Sequence, residues 1–133
     1  MLTDHIGVGE VPKLIDSALI VSKVKTMSLS LQQDFGIAKP KIAVLGINPH
    51  SGDNGTIGTE DEQILKPSIK KLFQEGQLVF GPFSADSFFT NGKHLKYDAV
   101  LAAYHDQGLI PFKTLSFGKG VNFTAGLSGV RTS

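Results

Sequence analysis

Apolar residues at helical spacing open the chain. From Pro12, a favoured first helical residue, the positions Leu14, Ile15, Ala18, Leu19, Met27 and Leu31 predict a long amphipathic helix that Gly36 ends. After Pro40 the pattern changes. Ile42-Ala43-Val44-Leu45-Gly46-Ile47 is apolar without a break, which suits a strand covered on both faces. Residues 48–59 are rich in turn formers, and the polar and acidic residues 60–63 open a second helical stretch. Pro67 would interrupt a straight helix there, so the pattern predicts a short piece up to Lys66 and a fresh helix through Ile69, Leu72 and Phe73, closed by Gly76. Residues 78–80 read as a short strand before Gly81-Pro82, residues 84–89 as a helical turn with two aromatic anchors, and Asn91-Gly92 as a turn. Residues 97–104 form the clearest buried strand, and residues 121–124 a last short one between glycines. Helix and strand signals alternate with no repeat, low-complexity tract or linker, which predicts a single α/β domain.

Composition narrows this picture modestly. A chain of 133 residues that is 41% hydrophobic can bury one core of ordinary size. A formal net charge of +1 and a pI near 8.0 leave no electrostatic footprint for nucleic acid or an anionic membrane, so neither is expected as a partner. The absence of cysteine excludes disulfides, thiolate zinc sites and a cysteine nucleophile, leaving His, Asp and Glu as the strong metal ligands. No apolar run reaches membrane-spanning length, and Asp4 and His5 interrupt any signal-peptide pattern at the start. The expectation is a soluble, cytoplasmic protein.

Three histidines, His5, His50 and His105, each follow or close an apolar stretch that reads as a strand. Open α/β sheets bind ligands outside the carboxyl ends of their strands, so His50 and His105 are candidates for one crevice. Each taken singly reads as a hydrogen-bonded loop residue; the company of His105 argues for more. Asp106 follows it at once, and a carboxylate there can ligate a divalent metal or hold the imidazole in one tautomer. His94 has only exposed polar neighbours in Gly92-Lys93-His94 and reads as a surface residue. Further on, Lys113, Lys119, Asn122 and Arg131 are interleaved with Gly118, Gly120, Gly126 and Gly129. That pattern suits a phosphate, with cationic and amide groups converging where the backbone comes close. A solvated glycine-rich loop with ordinary basic residues explains it equally well. Gly52-Asp53-Asn54-Gly55 with Gly58 lacks the glycine order of a dinucleotide-binding fingerprint.

Together these motifs carry a resemblance. Leu45-Gly46-Ile47-Asn48-Pro49-His50-Ser51-Gly52, Gly58-Thr59-Glu60, Gly81-Pro82 with Ala85-Asp86, Tyr104-His105-Asp106-Gln107-Gly108, the stretch from Gly118 to Asn122 and Arg131-Thr132-Ser133 keep the order and separation of the 4-hydroxythreonine-4-phosphate dehydrogenases. The stretch resembles the middle of that family's chain, which is more than twice as long.

The resemblance implies a set of roles. His5, His50 and His105 correspond to three histidines that hold a divalent metal, zinc or a substitute such as magnesium, cobalt or manganese, at a site shared between two subunits. Lys113, Asn122 and Arg131 correspond to substrate-binding residues, and Asp86 and Asp106 to acidic residues near the metal, expected to be catalytic. The implied architecture is one α/β/α layered domain with a mixed, largely parallel sheet, the second of two domains in a fold like that of isocitrate and isopropylmalate dehydrogenases. The implied reaction is oxidation of 4-phosphohydroxy-L-threonine by NAD, with NADP the other candidate, in a homodimer of pyridoxal phosphate biosynthesis. Two alternatives stand beside it: a dehydrogenase of the same family acting on another phosphorylated hydroxy acid, such as a four-carbon sugar acid phosphate, and a catalytically silent metal-binding or dimerisation module.

Overall fold

The computed structural model describes residues 1–116 together with the strands Val121–Phe123 and Val130–Thr132. Its first helical stretch is broken where the apolar spacing predicted continuity. A short helix α1 (Val11–Leu14) stops at Ile15, which is extended at φ −87° and ψ 113°, and α2 (Ser17–Phe35) begins afresh. Asp16 makes the restart possible: its side chain accepts a hydrogen bond from the Leu19 N–H at 2.8 Å, a cap that contributes about 1 kcal/mol. Ile20, Val24, Met27 and Leu31 then form the buried stripe of α2, and Gly36, left-handed at φ 66°, ends it as expected.

The parallel sheet has the order β2 (Val79–Phe83), β1 (Ile42–Leu45), β3 (Ala99–Leu101). Strand β1 (Ile42–Leu45) lies in the middle, with Ile42 opposite both Val79 and Ala99. Four consecutive buried residues make a strand only if both faces are covered, and both are. Ile42 and Val44 pack with Val24 and Leu31 of α2 and with Ile69 and Leu72 of α3 (Lys66–Gln74). Ala43 and Leu45 pack on the other side with Phe88 of α4 (Ala85–Phe88) and with Ala102. That second face is aromatic, with Phe83, Phe88 and Tyr97 ring centroids 5.1 to 5.7 Å apart in tilted pairs. The result is helix, sheet and helix in layers.

Pro67 acts as predicted. It cannot donate to the preceding turn, and the chain widens there: the Lys66 N–H reaches the Asp61 carbonyl across a π-helical turn, Asp61–Leu65, before α3 begins. Strand β2 (Val79–Phe83) outlasts the predicted 78–80 by running through Gly81-Pro82. A proline is tolerated because β2 is the outer strand, and the register slips between Ala43 and Leu45 to accommodate it. Gly81 is required at this spot: it sits at φ 130°, and a Cβ would collide with the Val44 carbonyl oxygen.

Strand β3 (Ala99–Leu101) is shorter than the predicted 97–104. Ala102 and Ala103 stay buried, but their carbonyls accept from the N–H groups of Leu2 and Thr3 instead of from another strand. The chain then enters α5 (His105–Ser116), a helix that Gly108 and Pro111 disguise in the sequence. Strands β4 (Val121–Phe123) and β5 (Val130–Thr132) form an antiparallel pair of their own, apart from the parallel sheet. Among the described residues no helix is long and apolar enough to cross a membrane. A cavity of about 880 Å³ follows the outer side of β3 between α2 and α5, lined by Met27, Leu31, Leu101, Leu109 and Phe112.

Candidate metal centre at the carboxyl edge of the sheet

Because β1 and β3 are parallel neighbours, their carboxyl ends open on one edge of the sheet, and both strand-end histidines emerge there. His50 lies in the turn Pro49–Gly52 after β1, exposed and with a positive φ of 52°. His105 is the first residue of α5 after β3. His5 arrives by a different route. The Leu2 and Thr3 N–H groups bond the carbonyls of Ala102 and Ala103 at 2.7 and 3.1 Å, and Thr3 Oγ1 donates to Ala103 at 2.7 Å. These bonds deliver the next two residues to the end of β3.

The His5 and His105 rings consequently lie with centroids 5.1 Å apart. Asp4, His5 and His105 each offer a ligand atom within 4.8 Å of the others, a cluster of donors of the kind that holds a divalent cation. Their carboxylate contacts differ. Asp106 Oδ1 makes a 2.9 Å hydrogen bond with His105 Nδ1, an arrangement that fixes the tautomer and leaves Nε2 for a ligand. Asp4 Oδ1 lies 3.3 Å from His5 Nδ1.

The other expected site residues are less concentrated. His50 is outside the Asp4–His5–His105 group. Asp86 is exposed on α4, accepts from Ser84 Oγ at 2.8 Å, and belongs to a helix packed against the His50 turn. Lys113 is exposed on α5, about 12 Å of helix beyond His105. Asn122 and Arg131 occupy directly opposed positions in the β4–β5 register. Lys119 lies outside the described residues, as do the glycines 118, 120, 126 and 129.

Two residues that the sequence reading gave no role hold this edge together. Gln107 bridges the two strand ends: its Oε1 accepts from the Ala103 N–H at 2.7 Å, and its Nε2 donates to the Gly46 carbonyl at 2.7 Å. Asp61, 1% exposed, accepts from the Ile47 N–H at 2.8 Å, the Asn48 N–H at 3.1 Å and Asn48 Nδ2 at 3.0 Å. Asn48 Nδ2 also donates to Glu60 Oε1 at 2.8 Å, and that bond, with backbone N–H groups, holds the Glu60 carboxyl below its usual pKa. The signal for Asp61 was its place among acidic residues at a helix start, which reads as a dipole effect and conceals burial. Gln107→Ala should cost about 2 kcal/mol, since both partners are backbone groups left without their bond. Urea unfolding checks this, and a midpoint equal to the parent's would refute the bridge.

The whole chain, residues 1–133, matches the family model described as pyridoxal phosphate biosynthetic protein PdxA. It is 47% identical over 133 residues to 4-hydroxythreonine-4-phosphate dehydrogenase of Bacteroides thetaiotaomicron, covering all of this chain and 36% of that one. The enzyme of the same name from Prosthecochloris aestuarii is also 47% identical, with 39% of its length covered. The crystal structure of 4-hydroxythreonine-4-phosphate dehydrogenase from Klebsiella pneumoniae superposes with a TM-score of 0.86 at 39% identity, over 99% of this chain and 40% of that one. A terephthalate 1,2-cis-dihydrodiol dehydrogenase from Burkholderia xenovorans LB400 superposes at 0.76 with 37% identity, over 84% of this chain and 35% of that one. The chain thus spans well under half the length of the proteins it matches. Its layered α/β architecture with a parallel sheet is that of the isocitrate and isopropylmalate dehydrogenase-like fold. The chain belongs to the PdxA family of pyridoxal phosphate biosynthetic proteins.

Proposed function

We propose that the protein carrying this chain is a divalent-metal- and NAD-dependent dehydrogenase of vitamin B6 biosynthesis, working in the cytoplasm as a homodimer. NADP is the other candidate carrier. The reaction oxidises the secondary hydroxyl of 4-phosphohydroxy-L-threonine, and the β-keto acid produced loses carbon dioxide to give 3-amino-2-oxopropyl phosphate. In this reading residues 1–133 are the metal- and substrate-binding second domain of a two-domain enzyme.

The observation that carries the proposal is the meeting of His5 and His105, with ligand atoms within 4.8 Å and Asp106 holding the rear nitrogen of His105. Two imidazoles with a carboxylate beside them suit a zinc-like cation. When bound, the cation supplies Lewis-acid polarisation of the substrate hydroxyl, and NAD supplies the hydride acceptor. The chain's own residues do the rest. Asp106 keeps His105 in one tautomer. Asp86, with one carboxylate oxygen engaged by Ser84, is assigned the hydroxyl proton. Lys113, Asn122 and Arg131 bind the substrate's anionic groups, the guanidinium as a planar fork and the ammonium as a point charge. His50, exposed and outside the cluster, is assigned to the site completed by the partner subunit.

One observation favours a second reading. The likeness to a terephthalate dihydrodiol dehydrogenase, at 37% identity, means that this fold and sequence pattern serve more than one hydroxyl substrate. A family member oxidising a different hydroxyl substrate is therefore the alternative, and the candidate closest to the first reading is another phosphorylated hydroxy acid. The purified full-length protein should form NADH from 4-phosphohydroxy-L-threonine only with a divalent cation present, while residues 1–133 alone should show negligible turnover. NADH formed from a four-carbon sugar acid phosphate but not from 4-phosphohydroxy-L-threonine would replace the first reading with the second.

A further inference from the structure

Building on the assignment of the cluster as a divalent-cation site, we propose that Asp4 is itself a metal ligand. One chain then contributes a mixed donor set of one carboxylate oxygen and two imidazole nitrogens, from Asp4, His5 and His105.

The two aspartate–histidine neighbours at this edge look alike in sequence and differ in geometry. His105 Nδ1 and Asp106 Oδ1, at 2.9 Å, make a hydrogen bond. That is the contact of a carboxylate that orients an imidazole from behind. His5 Nδ1 and Asp4 Oδ1 are 3.3 Å apart and lack that hydrogen bond. Two ligands on one tetrahedral cation, with bonds of about 2.0 to 2.1 Å, are separated by about 3.3 to 3.4 Å. The Asp4–His5 spacing matches the edge of such a coordination polyhedron, whereas the His105–Asp106 spacing is too short for one.

The backbone on either side of Asp4 is fixed. Thr3 is fastened to Ala103 through both its N–H and its hydroxyl, and the Asp4 carbonyl accepts from the Ile6 N–H at 2.8 Å. The backbone of Asp4 is thus held from both sides, and its side chain is 53% exposed beside a His5 side chain that is 78% exposed. With ligand atoms already within 4.8 Å of one another, side-chain rotation of about 1 Å closes the set around an ion. A carboxylate also changes selectivity, because oxygen donors favour hard cations such as manganese and magnesium over what imidazoles alone would choose.

The test is calorimetric titration of the full-length protein, freed of metal, with Mn²⁺ and separately with Co²⁺. Asp4→Asn keeps the size and shape of the side chain but, being uncharged, is a poor ligand. It should weaken Mn²⁺ about tenfold or more and Co²⁺ less. His5→Ala serves as the reference and should weaken both ions strongly. Unchanged Mn²⁺ affinity in Asp4→Asn, with binding lost in His5→Ala, overturns the role of Asp4 and leaves the metal site standing. Unchanged binding in both variants overturns the site as well.

Discussion

Replacing Asp61 with alanine is expected to lower the unfolding free energy by about 4 kcal/mol, a large part of what a domain of this size possesses. The side chain is almost wholly buried and accepts three hydrogen bonds, from the Ile47 N–H, the Asn48 N–H and the Asn48 side chain. Alanine would leave those donors facing a void that has no acceptor, and each unpaired donor costs about 1 to 3 kcal/mol. The loss would be local in origin and global in reach, because Ile47 and Asn48 lead directly from β1 into the turn that carries His50. Asp61→Asn should fall between the parent and the alanine variant, since the amide keeps an acceptor oxygen but turns a donor toward donors. Urea unfolding followed by far-UV circular dichroism measures both, and a loss below about 1 kcal/mol for the alanine variant would show that water or a rearranged turn satisfies the same groups.

His105→Ala should reduce divalent-cation affinity more than about 100-fold, whereas Asp106→Asn should reduce it about tenfold. On the proposed metal site, the first change removes a ligand. The second leaves the ligand in place and weakens only its orientation, because the amide of asparagine can still accept from Nδ1. Both residues sit at the exposed start of α5, so neither substitution should disturb the core, and melting temperatures without metal should stay near the parent's. Calorimetry with Co²⁺ separates the two effects. An affinity in His105→Ala equal to the parent's would mean that His105 does not contact the ion.

Much of the fold was legible because it follows one-dimensional rules. The unbroken apolar run of β1 could only be a strand buried on both faces, and Pro67 with Gly76 framed α3. The break between α1 and α2 was missed because Leu14 and Ile15 continue the apolar spacing across it, although Leu14 is half exposed and Asp16 is a cap. Helix α5 was missed for the opposite reason: Gly108 and Pro111 lower its local propensity, and packing overrides them. The site divides in the same way. That His50 and His105 follow parallel strands is a local reading, and it placed both at one edge. The contact between His5 and His105 joins positions 100 residues apart, and only the fastening of Leu2 and Thr3 to the end of β3 creates it. No spacing rule reports such a contact; the strand-end pattern singled out His5, but only the family resemblance implied that it joins the other two histidines. Gln107 owes its role to that three-dimensional closure, and nothing in the hydrophobic pattern marked it.

The placement of the tyrosines gives the protein a built-in spectroscopic label on each side of its sheet. The chain has no tryptophan and two tyrosines. Tyr97 packs among phenylalanine rings on the face of Leu45 and Phe88, while Tyr104 packs against the opposite core formed with α2 and α3. Tyrosine emission and near-ultraviolet dichroism therefore report the two layers separately once either residue is changed to phenylalanine. A Tyr97→Phe protein follows the helical layer, and a Tyr104→Phe protein follows the aromatic one. Coincident denaturation curves for the pair mean that the layers melt as one cooperative unit, and separated curves identify the layer that loosens first.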